Sequence, residues 1–435
     1  MDLLIKNISE LYSGEKDDIL KDVFIIIKDN TIKKIKSMQD CPEEEDFDKI
    51  IDAADKIALA GFINTHTHSA MTLMRGYADD MPLEKWLENK IWPFEAQLSA
   101  DDIYWGTALG IIEMLKSGTT AFSDMYFSMD RAAEVVEKSG IRAVLAEGLI
   151  EVNDGAAGLK NAVDFALEYD NTADGRITTM IAPHAPYTCS KEYLLEIRDI
   201  ASESDIPVHI HLSETKKEVD DFLKNTGKSP IKFLNDFDFF ENHILAAHCV
   251  HLEKGDMEIL KEKNIHIAHN PVSNAKLGSG IAPVVDYLKN DINISIGTDG
   301  VSSNNNLDMI AEARMAAYLQ KVKNLDPAVI DKMNLLQFIT KNGAEALALE
   351  KLGVLKEEYK ADLLLIDTQT ESFSFPHHSN LSNLFYAADS RVIDTVIING
   401  KVVVESGQIL TLDRERIYYE VEKRAAEIAD KLNGN

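Results

Sequence analysis

Two histidines lie two residues apart at the end of an apolar run in this sequence. Residues 57–64 form the run, and His66 and His68 follow it. Side chains two apart on a strand point to one face, and neutral imidazole is a common zinc ligand whose partners come from elsewhere in the fold. Because a single His-x-His pair also fits a structural role, the metal interpretation depends on the rest of the chain.

The other candidate polar residues also fall at the ends of apolar, strand-like runs. In chain order they are His184, His209, His211, Glu214, His248 and Asp299. Scattered structural histidines would not be expected to keep this register. We therefore predict a metal site made of His66, His68, His211 and Asp299. For four further histidines the simpler prediction is a hydrogen-bonded core or rim group: His209, His251, His266 and His269.

Three imidazoles and one carboxylate suit a divalent ion of intermediate hardness such as Zn²⁺, and Fe²⁺ or Mn²⁺ would fit the same donors. Such an ion lowers the pKa of water toward neutrality, so a metal-activated hydroxide is the expected nucleophile. His248 is the candidate to orient it, and Asp299 can take its proton. Glu214 lies three residues beyond His211 and is the candidate acid for a ring nitrogen of the substrate.

The middle of the chain alternates apolar strands with helical segments, a pattern typical of a parallel sheet covered by helices. The predicted strands are residues 57–64, 119–125, 143–149, 178–182, 208–212, 244–249, 266–269 and 292–297. Eight such units predict an α/β fold, a (β/α)8 TIM-like barrel, whose chemistry lies at the C-terminal ends of its strands. Nearly all of the candidate residues listed above would fall at that rim.

Both chain ends carry short β-like runs instead. These are residues 3–5, 23–27 and 31–35 near the N-terminus, and 362–367, 392–398 and 401–405 near the C-terminus. Asn399-Gly400 between the last two is a strong hairpin signal. We predict a small β-sandwich domain built from residues 1–57 and 355–412, a barrel of residues 58–354 and a C-terminal helix within residues 413–435.

The composition is that of a globular protein of 435 residues, with 45% hydrophobic and 27% charged residues. A formal net charge of −28 would repel nucleic acid and anionic membranes, so we expect neither as a partner. No apolar run is long enough for a membrane span and no export signal is recognised. Three widely spaced cysteines fit a reducing compartment, and we expect a cytoplasmic protein.

Several motifs resemble a known superfamily. The segment Gly61 to His68, His211-Leu-Ser-Glu214, Ala-Ala-His248 and Gly-Thr-Asp299-Gly are similar to motifs of the amidohydrolases. More narrowly, residues 74–80, 92–95, 117–120 and 270–274 resemble the methylthioadenosine/S-adenosylhomocysteine deaminases. The resemblance extends from about residue 2 to residue 410.

This resemblance implies an aminohydrolase that converts adenine nucleosides at C6 to the inosine analogue and ammonia. The implied substrates are 5′-methylthioadenosine and S-adenosylhomocysteine, with 5′-deoxyadenosine and adenosine as further candidates. It assigns the metal to His66, His68, His211 and Asp299, and substrate contacts to Glu95, His184, Glu214 and Asp299. Glu95 could accept hydrogen bonds from both ribose hydroxyls, and Glu214 could protonate N1. The role of Glu95 rests on the resemblance alone.

Two local features refine this expectation. Binuclear members of the superfamily usually carry a modified lysine at the end of strand four, where this chain has His184 and no lysine nearby, so we expect one Zn²⁺ per subunit. Some deaminases carry arginines after strand three that suit the carboxylate of S-adenosylhomocysteine, and residues 146–160 contain none. The sequence therefore favours short 5′-substituents, with Lys160 as a partial substitute for the missing arginine.

Two alternatives stay open. A related zinc deaminase or hydrolase could act on guanine, another aminated heterocycle or a chlorinated triazine, and would have no need of Glu95 as a ribose clamp. An inactive amidohydrolase-like scaffold would be expected to have lost ligands, whereas all four predicted ligands and Glu214 are present. Homo-oligomerisation is compatible with the resemblance, and the sequence identifies no interface.

Overall fold

The computed structural model describes residues 2–15, 19–374, 376 and 378–433. Its strands are β1 Asp2–Tyr12, β2 Ile19–Lys28, β3 Thr31–Ser37, β4 Lys49–Asp52, β5 Lys56–Ala60, β6 Phe62–Thr67, β7 Thr119–Tyr126, β8 Arg142–Leu149, β9 Ile177–Thr179, β10 Ala182–Pro183, β11 Val208–Leu212, β12 Ile244–His248, β13 His266–His269, β14 Ile294–Ile296, β15 Leu363–Asp367, β16 Ile393–Ile398, β17 Lys401–Glu405 and β18 Gln408–Ile409.

The helices fall mainly between the barrel strands. They are α1 Leu83–Trp86, α2 Trp92–Glu95, α3 Ala100–Lys116, α4 Met129–Ser139, α5 Glu151–Tyr169, α6 Thr172–Gly175, α7 Lys191–Ser204, α8 Lys216–Thr226, α9 Pro230–Asn235, α10 Asp256–Glu262, α11 Pro271–Lys276, α12 Val284–Lys289, α13 Val301–Asn304, α14 Met309–Asn324, α15 Lys332–Phe338, α16 Lys341–Ala346, α17 Glu371–Ser374, α18 Asn380–Tyr386 and α19 Arg414–Asn433. Helix α19 corresponds to the predicted C-terminal helix. Within the described ranges, no helix combines the length and apolar character of a membrane span.

Strands β6 to β14 form the barrel. Parallel pairing joins β6, β7, β8, β9 and β10 in one sheet and β11 to β14 in a second. Backbone bonds link the two sheets on both sides: His211 N donates to His184 O over 3.0 Å, and Asp299 N donates to His66 O over 2.9 Å. Strands β6 and β7 are buried along their whole length, as expected for parallel strands covered by helices. The predicted barrel is therefore confirmed.

Strands from both chain ends form one nine-stranded sheet. Its order is β18-β17-β16-β15-β5-β1-β2-β3, with β4 beside β1. The two ends meet at the antiparallel pair of β5 and β15, and the sheet has its own apolar core, which agrees with a domain built from both chain ends. The predicted hairpin is present as well. Asn399 and Gly400 have φ values of 52° and 74°, as a type I′ turn requires.

The boundary between the chain-end sheet and the barrel lies at Gly61 rather than between residues 57 and 58. The predicted first strand, residues 57–64, is two strands, because β5 pairs with β1 and β15 whereas β6 pairs with β7. A Cβ at Gly61 would lie 2.0 Å from Thr120 Oγ1, so the close approach of these two backbone segments requires glycine. The predicted fourth strand, residues 178–182, is likewise interrupted between β9 and β10.

A buried ion pair ties the barrel to the chain-end sheet. Arg142, at the start of β8, donates from Nε and Nη2 to the two carboxylate oxygens of Asp362, each over 3.1 Å. Asp362 also accepts a hydrogen bond from the backbone N of Asn399 over 2.8 Å. Each side chain of the pair is 1% exposed. Removing one partner would therefore leave an uncompensated charge inside the protein.

Replacing Arg142 with Met is expected to lower the free energy of unfolding by about 3–5 kcal/mol, because the Asp362 carboxylate would stay buried without its cation. Thermal unfolding followed by circular dichroism measures this as a lower Tm. The double variant Arg142→Met/Asp362→Leu should regain part of the loss, since an apolar pair carries no desolvation penalty. A single variant as stable as the wild type would rule out this role for the ion pair.

Candidate active site

The four predicted metal ligands meet at the C-terminal rim of the barrel. His66 is the penultimate residue of β6 and His68 follows that strand, while His211 lies on β11 and Asp299 follows β14. The ring centroids of His66 and His68 are 4.9 Å apart, and those of His66 and His211 are 4.8 Å apart. Asp299 Oδ1 lies 3.5 Å from His66 Nε2 and 3.4 Å from His68 Nε2. The structure thus brings together residues more than 200 positions apart in sequence.

Backbone carbonyls fix the orientation of two of these rings. His68 Nδ1 donates to Met125 O over 2.5 Å, and His211 Nδ1 donates to His184 O over 2.7 Å. A proton on Nδ1 leaves the Nε2 lone pair of each ring free for a metal. Hydrogen bonds of this kind also hold metal-binding histidines in place.

His66 is oriented by another histidine. Its Nδ1 lies 2.9 Å from Nε2 of His209, whose own Nδ1 lies 3.3 Å from Ser123 Oγ. His66 Nε2 is buried and has no hydrogen-bond partner among the described residues. Burial lowers the pKa of His66 to about 4, which keeps the imidazole in its neutral, metal-binding form. An unpaired buried nitrogen facing two imidazoles and a carboxylate fits a bound metal ion.

Glu214 and His248 lie beside the histidine-rich cluster, which consists of His66, His68, His211 and Asp299. Ser279 Oγ donates to Glu214 Oε1 over 3.1 Å, and His248 Nε2 lies 3.9 Å from Glu214 Oε2. His248 is held through Nδ1, which is 2.9 Å from Asn274 Oδ1. Burial raises the pKa of Glu214, so its protonated form persists closer to neutral pH than that of an exposed glutamate. A buried carboxyl group of this kind can serve as a general acid.

His248 belongs to a set of donors whose spacing would also suit a metal. One donor atom each from His66, His211 and His248 lies within 4.8 Å of the others, as does one each from His66, His68 and Asp299. His248 was predicted to orient the attacking hydroxide, and its place beside both the cluster and Glu214 is compatible with that prediction.

Three residues at the rim have left-handed backbone conformations that non-glycine residues rarely adopt. The φ values are 52° at Ser213, 75° at His248 and 62° at Asp299. Such conformations carry a cost in free energy and tend to occur where function requires a particular direction of the side chain. Their position at the ends of strands β11, β12 and β14 matches the predicted site.

The cluster lies at one side of a cavity of about 790 Å³, counted with its open mouth. Its polar lining includes His184, Glu95, Glu214, His248 and Asp299, while its apolar lining is Met71, Leu83, Trp86, Leu87, Ile91, Trp92, Met125, Phe127, Ile150 and Leu277. Apolar walls with a few convergent polar groups are typical of sites for small organic molecules. All predicted substrate contacts thus face one cavity.

Glu95 reaches this cavity from a helix that covers the rim. The helix runs from α1 through a π-helical turn at Leu87–Ile91 into α2, which ends at Glu95. Tyr126, at the end of β7, donates its hydroxyl to Glu95 Oε1 over 2.7 Å. Burial raises the pKa of Glu95 to about 7, and the hydrogen bond from Tyr126 opposes that increase. Nothing in the sequence around Glu95 apart from the family resemblance distinguishes it from a surface carboxylate.

Several contacts around the site were not predicted from the sequence. Tyr126 holds Glu95, Ser279 holds Glu214, and Ser273 Oγ donates to Asp299 Oδ2 over 2.6 Å. Hydroxyl side chains carry no sequence pattern that marks them as partners of a distant carboxylate, so only the fold identifies these three contacts. The contact of His209 with His66 had a partial signal in the sequence, because the two-residue spacing of His209 and His211 places both on one face of the strand.

The remaining histidines are mostly hydrogen-bonded as predicted. His251 Nε2 donates to Ser279 O over 2.6 Å, and His266 Nδ1 lies 2.9 Å from Asn293 Nδ2. His269 differs, because neither of its ring nitrogens has a partner among the described residues. His269 is therefore buried as predicted, but without the predicted hydrogen bond among the described residues.

Lys160 does not replace the missing arginine. It is exposed on α5 and forms an ion pair with Asp164. Among the described residues that line the cavity, none is a lysine or an arginine. Lys160 is therefore not placed to substitute for the arginine, whereas Lys191 lines an adjoining cavity that shares Leu83, Trp92 and Glu214 with this one.

Comparison with known proteins identifies close relatives. The model of the amidohydrolase family matches residues 57–403. A 5-methylthioadenosine/S-adenosylhomocysteine deaminase of Halothermothrix orenii is 49% identical over 427 residues, which are 98% of this chain and 99% of that protein. A deaminase of the same name from Pelotomaculum thermopropionicum is 46% identical over 99% of both chains.

Solved structures agree with these matches. An adenosine deaminase from Xanthomonas campestris with bound zinc superposes with a TM-score of 0.93 at 31% identity, over 98% of each chain. An atrazine chlorohydrolase from Arthrobacter aurescens complexed with zinc has a TM-score of 0.89 at 22% identity, over 97% of this chain and 100% of that one. The second likeness shows the fold alone. The histidine-rich cluster and the family match together support a metal cofactor.

Proposed function

Because this chain belongs to the amidohydrolase family and, within it, to the methylthioadenosine/S-adenosylhomocysteine deaminases, we propose that it hydrolyses the C6 amino group of adenine nucleosides. The products are the inosine analogue and ammonia. Sequence identity of 49% along 98% of the chain carries the proposal. The cavity supports it, because metal-type donors, the buried acid Glu214 and the carboxylate of Glu95 face one space.

We assign the metal to His66, His68, His211 and Asp299, as one Zn²⁺ per subunit. The unpaired Nε2 of His66 and the spacing of the donor atoms support this assignment. Zn²⁺ held there would lower the pKa of water and so supply hydroxide near neutral pH. Fe²⁺ and Mn²⁺ fit the same donors, and availability in the cell helps to decide between them.

The protein side chains then move the protons. Asp299 takes a proton from the attacking water while Glu214 gives its own proton to N1, which makes C6 more electrophilic. His248, which lies beside Glu214, orients the attacking oxygen. The proton on Asp299 passes to the amino group, which leaves as ammonia. The hydroxyl proton remaining on the new C6 oxygen restores Glu214, so protons balance over one turnover.

Glu95 and His184 hold the nucleoside in this proposal. An ionised Glu95 can accept hydrogen bonds from the ribose hydroxyls, and His184, whose Nδ1 is 3.0 Å from Thr188 Oγ1, presents its other ring nitrogen as a partner for a ribose or ring atom. A nucleoside is the proposed small-molecule partner. A cytoplasmic location and self-association stay predictions from the sequence.

The absorbance change from adenine to hypoxanthine tests the proposal. Metal-loaded protein is mixed with 5′-methylthioadenosine, S-adenosylhomocysteine, 5′-deoxyadenosine and adenosine, with adenine and guanine as free-base controls. Turnover of nucleosides without turnover of the free bases is expected. Activity on a free base alone would support the alternative heterocycle hydrolase, and inactivity on every compound with metal bound would support the inactive scaffold.

The same series is expected to show a KM for S-adenosylhomocysteine about 10- to 100-fold above that for 5′-methylthioadenosine. Charge-assisted hydrogen bonds to a carboxylate contribute about 1.5–3 kcal/mol. The described lining of the cavity that holds the reacting groups includes no lysine or arginine to make them, and Lys191 lines only the adjoining cavity. Initial rates over a range of concentrations measure both constants. Equal KM values would show that the homocysteine tail finds another partner, without affecting the assignment as a deaminase.

A further inference from the structure

One carboxylate oxygen of Glu95 is already bonded inside the protein. Tyr126 donates its hydroxyl to Glu95 Oε1 over 2.7 Å, and it is the only side chain among those described that donates to this carboxylate. Tyr126 is 4% exposed, and its ring faces the same cavity as Glu95. The second oxygen, Oε2, has no donor among the described residues.

The two residues come from different parts of the molecule. Tyr126 ends a barrel strand and its ring stacks on Phe127, with centroids 4.0 Å apart and 23° between the planes. Glu95 ends the helix that covers the rim, directly after the turn Trp92-Pro93-Phe94. A hydroxyl on the barrel thus sets the position of a carboxylate on the covering helix.

We propose that Tyr126 is a positioning residue for ribose recognition, which fixes Glu95 through Oε1 so that Oε2 faces the 2′,3′-diol of the nucleoside. This inference rests on the proposed function and narrows it: the preferred substrates are adenine nucleosides with an intact cis-diol. Tyr126 acts through Glu95 and takes no part in the chemistry at C6.

Two physical effects connect Tyr126 to substrate affinity. A carboxylate without a partner rotates about its last side-chain bond, and fixing it in advance removes part of the ordering cost of binding. The hydrogen bond also favours the ionised carboxylate, the form that accepts from both hydroxyls of the diol. Both effects act on binding of the ribose and leave the reacting atoms unchanged, so they predict a change in KM rather than in kcat.

Adenosine and 2′,3′-dideoxyadenosine form a matched pair of substrates, since they share the base and the 5′-hydroxyl and differ only in the diol. In Tyr126→Phe, KM for adenosine is expected to rise about tenfold, as for loss of one hydrogen bond. The value of kcat should stay within about twofold, and KM for 2′,3′-dideoxyadenosine should not change. Steady-state rates on the metal-loaded protein give all four constants.

Tyr12→Phe is the matched control. Tyr12 also donates its hydroxyl to a glutamate, Glu10, but in the chain-end sheet away from the cavity, so its loss should leave both KM values unchanged. Glu95→Gln should raise KM for adenosine selectively, and adding Tyr126→Phe to it should change KM by less than about twofold, because the two residues act as one unit. The Tm of each variant reports on folding.

Three results would overturn the inference. They are an unchanged KM for adenosine in Tyr126→Phe, an equal rise in KM for both substrates, or an effect of Tyr126→Phe that persists in full in the Glu95→Gln background. If Tyr126→Phe failed to fold, an unchanged KM for adenosine in Glu95→Gln would overturn it instead. Failure of the proposed function is a different result, namely a wild-type protein that deaminates no nucleoside.

Discussion

Changing Glu214 to Gln is expected to lower kcat for 5′-deoxyadenosine about 10²- to 10⁴-fold, the range in which a positioned general acid contributes. Glutamine has nearly the same size and can still bond to Ser279, but it has no proton to give to N1. The metal content, measured by elemental analysis, should stay equal to that of the wild type. KM should change much less than kcat, because the lost interaction belongs to the transition state.

Glu84→Gln is the control for this variant. Glu84 lies on the same rim, on α1, with its side chain 60% exposed and paired with Lys217. Its loss should leave kcat within about twofold of the wild type, since an exposed ion pair contributes little. A Glu214→Gln enzyme that kept more than about a tenth of the wild-type kcat would contradict the role of Glu214 as the acid.

Replacing His66 with Asn is expected to remove the metal and to reduce activity by more than about 10³-fold, because the nucleophile depends on the ion. Dialysis followed by elemental analysis should find the wild type loaded and the variant empty. Added Zn²⁺ should restore activity to a chelator-treated wild type but not to the variant. The shorter side chain of asparagine cannot place a metal-binding atom where Nε2 of His66 lies, 3.5 Å from Asp299 Oδ1.

His266→Asn provides the comparison for His66→Asn. His266 is also a buried histidine on a barrel strand, but it stacks on His243 with ring centroids 4.5 Å apart and is not among the clustered donors. This variant should retain its metal and its activity. If both histidine variants lost the metal to the same degree, the loss would reflect general damage to the barrel, and the assignment of His66 would have to be abandoned.

The sequence predicted which candidate ligands meet at the rim better than it predicted the contacts that hold them there. The alternation of side chains along a strand predicts that His66 and His68 point to one side, although β6 ends at Thr67, between them. The same rule places His209 and His211 on one face of β11. From the sequence, His211 is expected among the metal ligands and His209 as a hydrogen-bonded core or rim group, and only the structure shows that the partner of His209 is His66. The alternation of side chains specifies the face of a strand on which a residue lies, but it does not identify the residue's hydrogen-bond partner.

Other features could not be predicted because they depend on elements that are distant in sequence. Glu95 acquires its environment when the covering helix meets Tyr126 on β7, and its own segment gives no sign of this. The break at Gly61 was hidden because the apolar run from Ile57 to Ile63 continues through it without a polar residue. The change from the chain-end sheet to the barrel sheet at Gly61 is visible only in the strand pairing, because β5 pairs with β15 whereas β6 pairs with β7. Local patterns thus specify elements, while contacts between elements create the site.

The backbone bond from Asp299 N to His66 O has a consequence for how the protein is made. It joins the first barrel strand to the segment after the last, and its two residues are more than 200 positions apart. At about 5–20 residues per second, a ribosome needs on the order of 10–50 s to add the second after the first. During that interval the imidazoles of His66, His68 and His211 emerge without Asp299, so the nascent chain cannot complete the proposed metal site until the barrel can close.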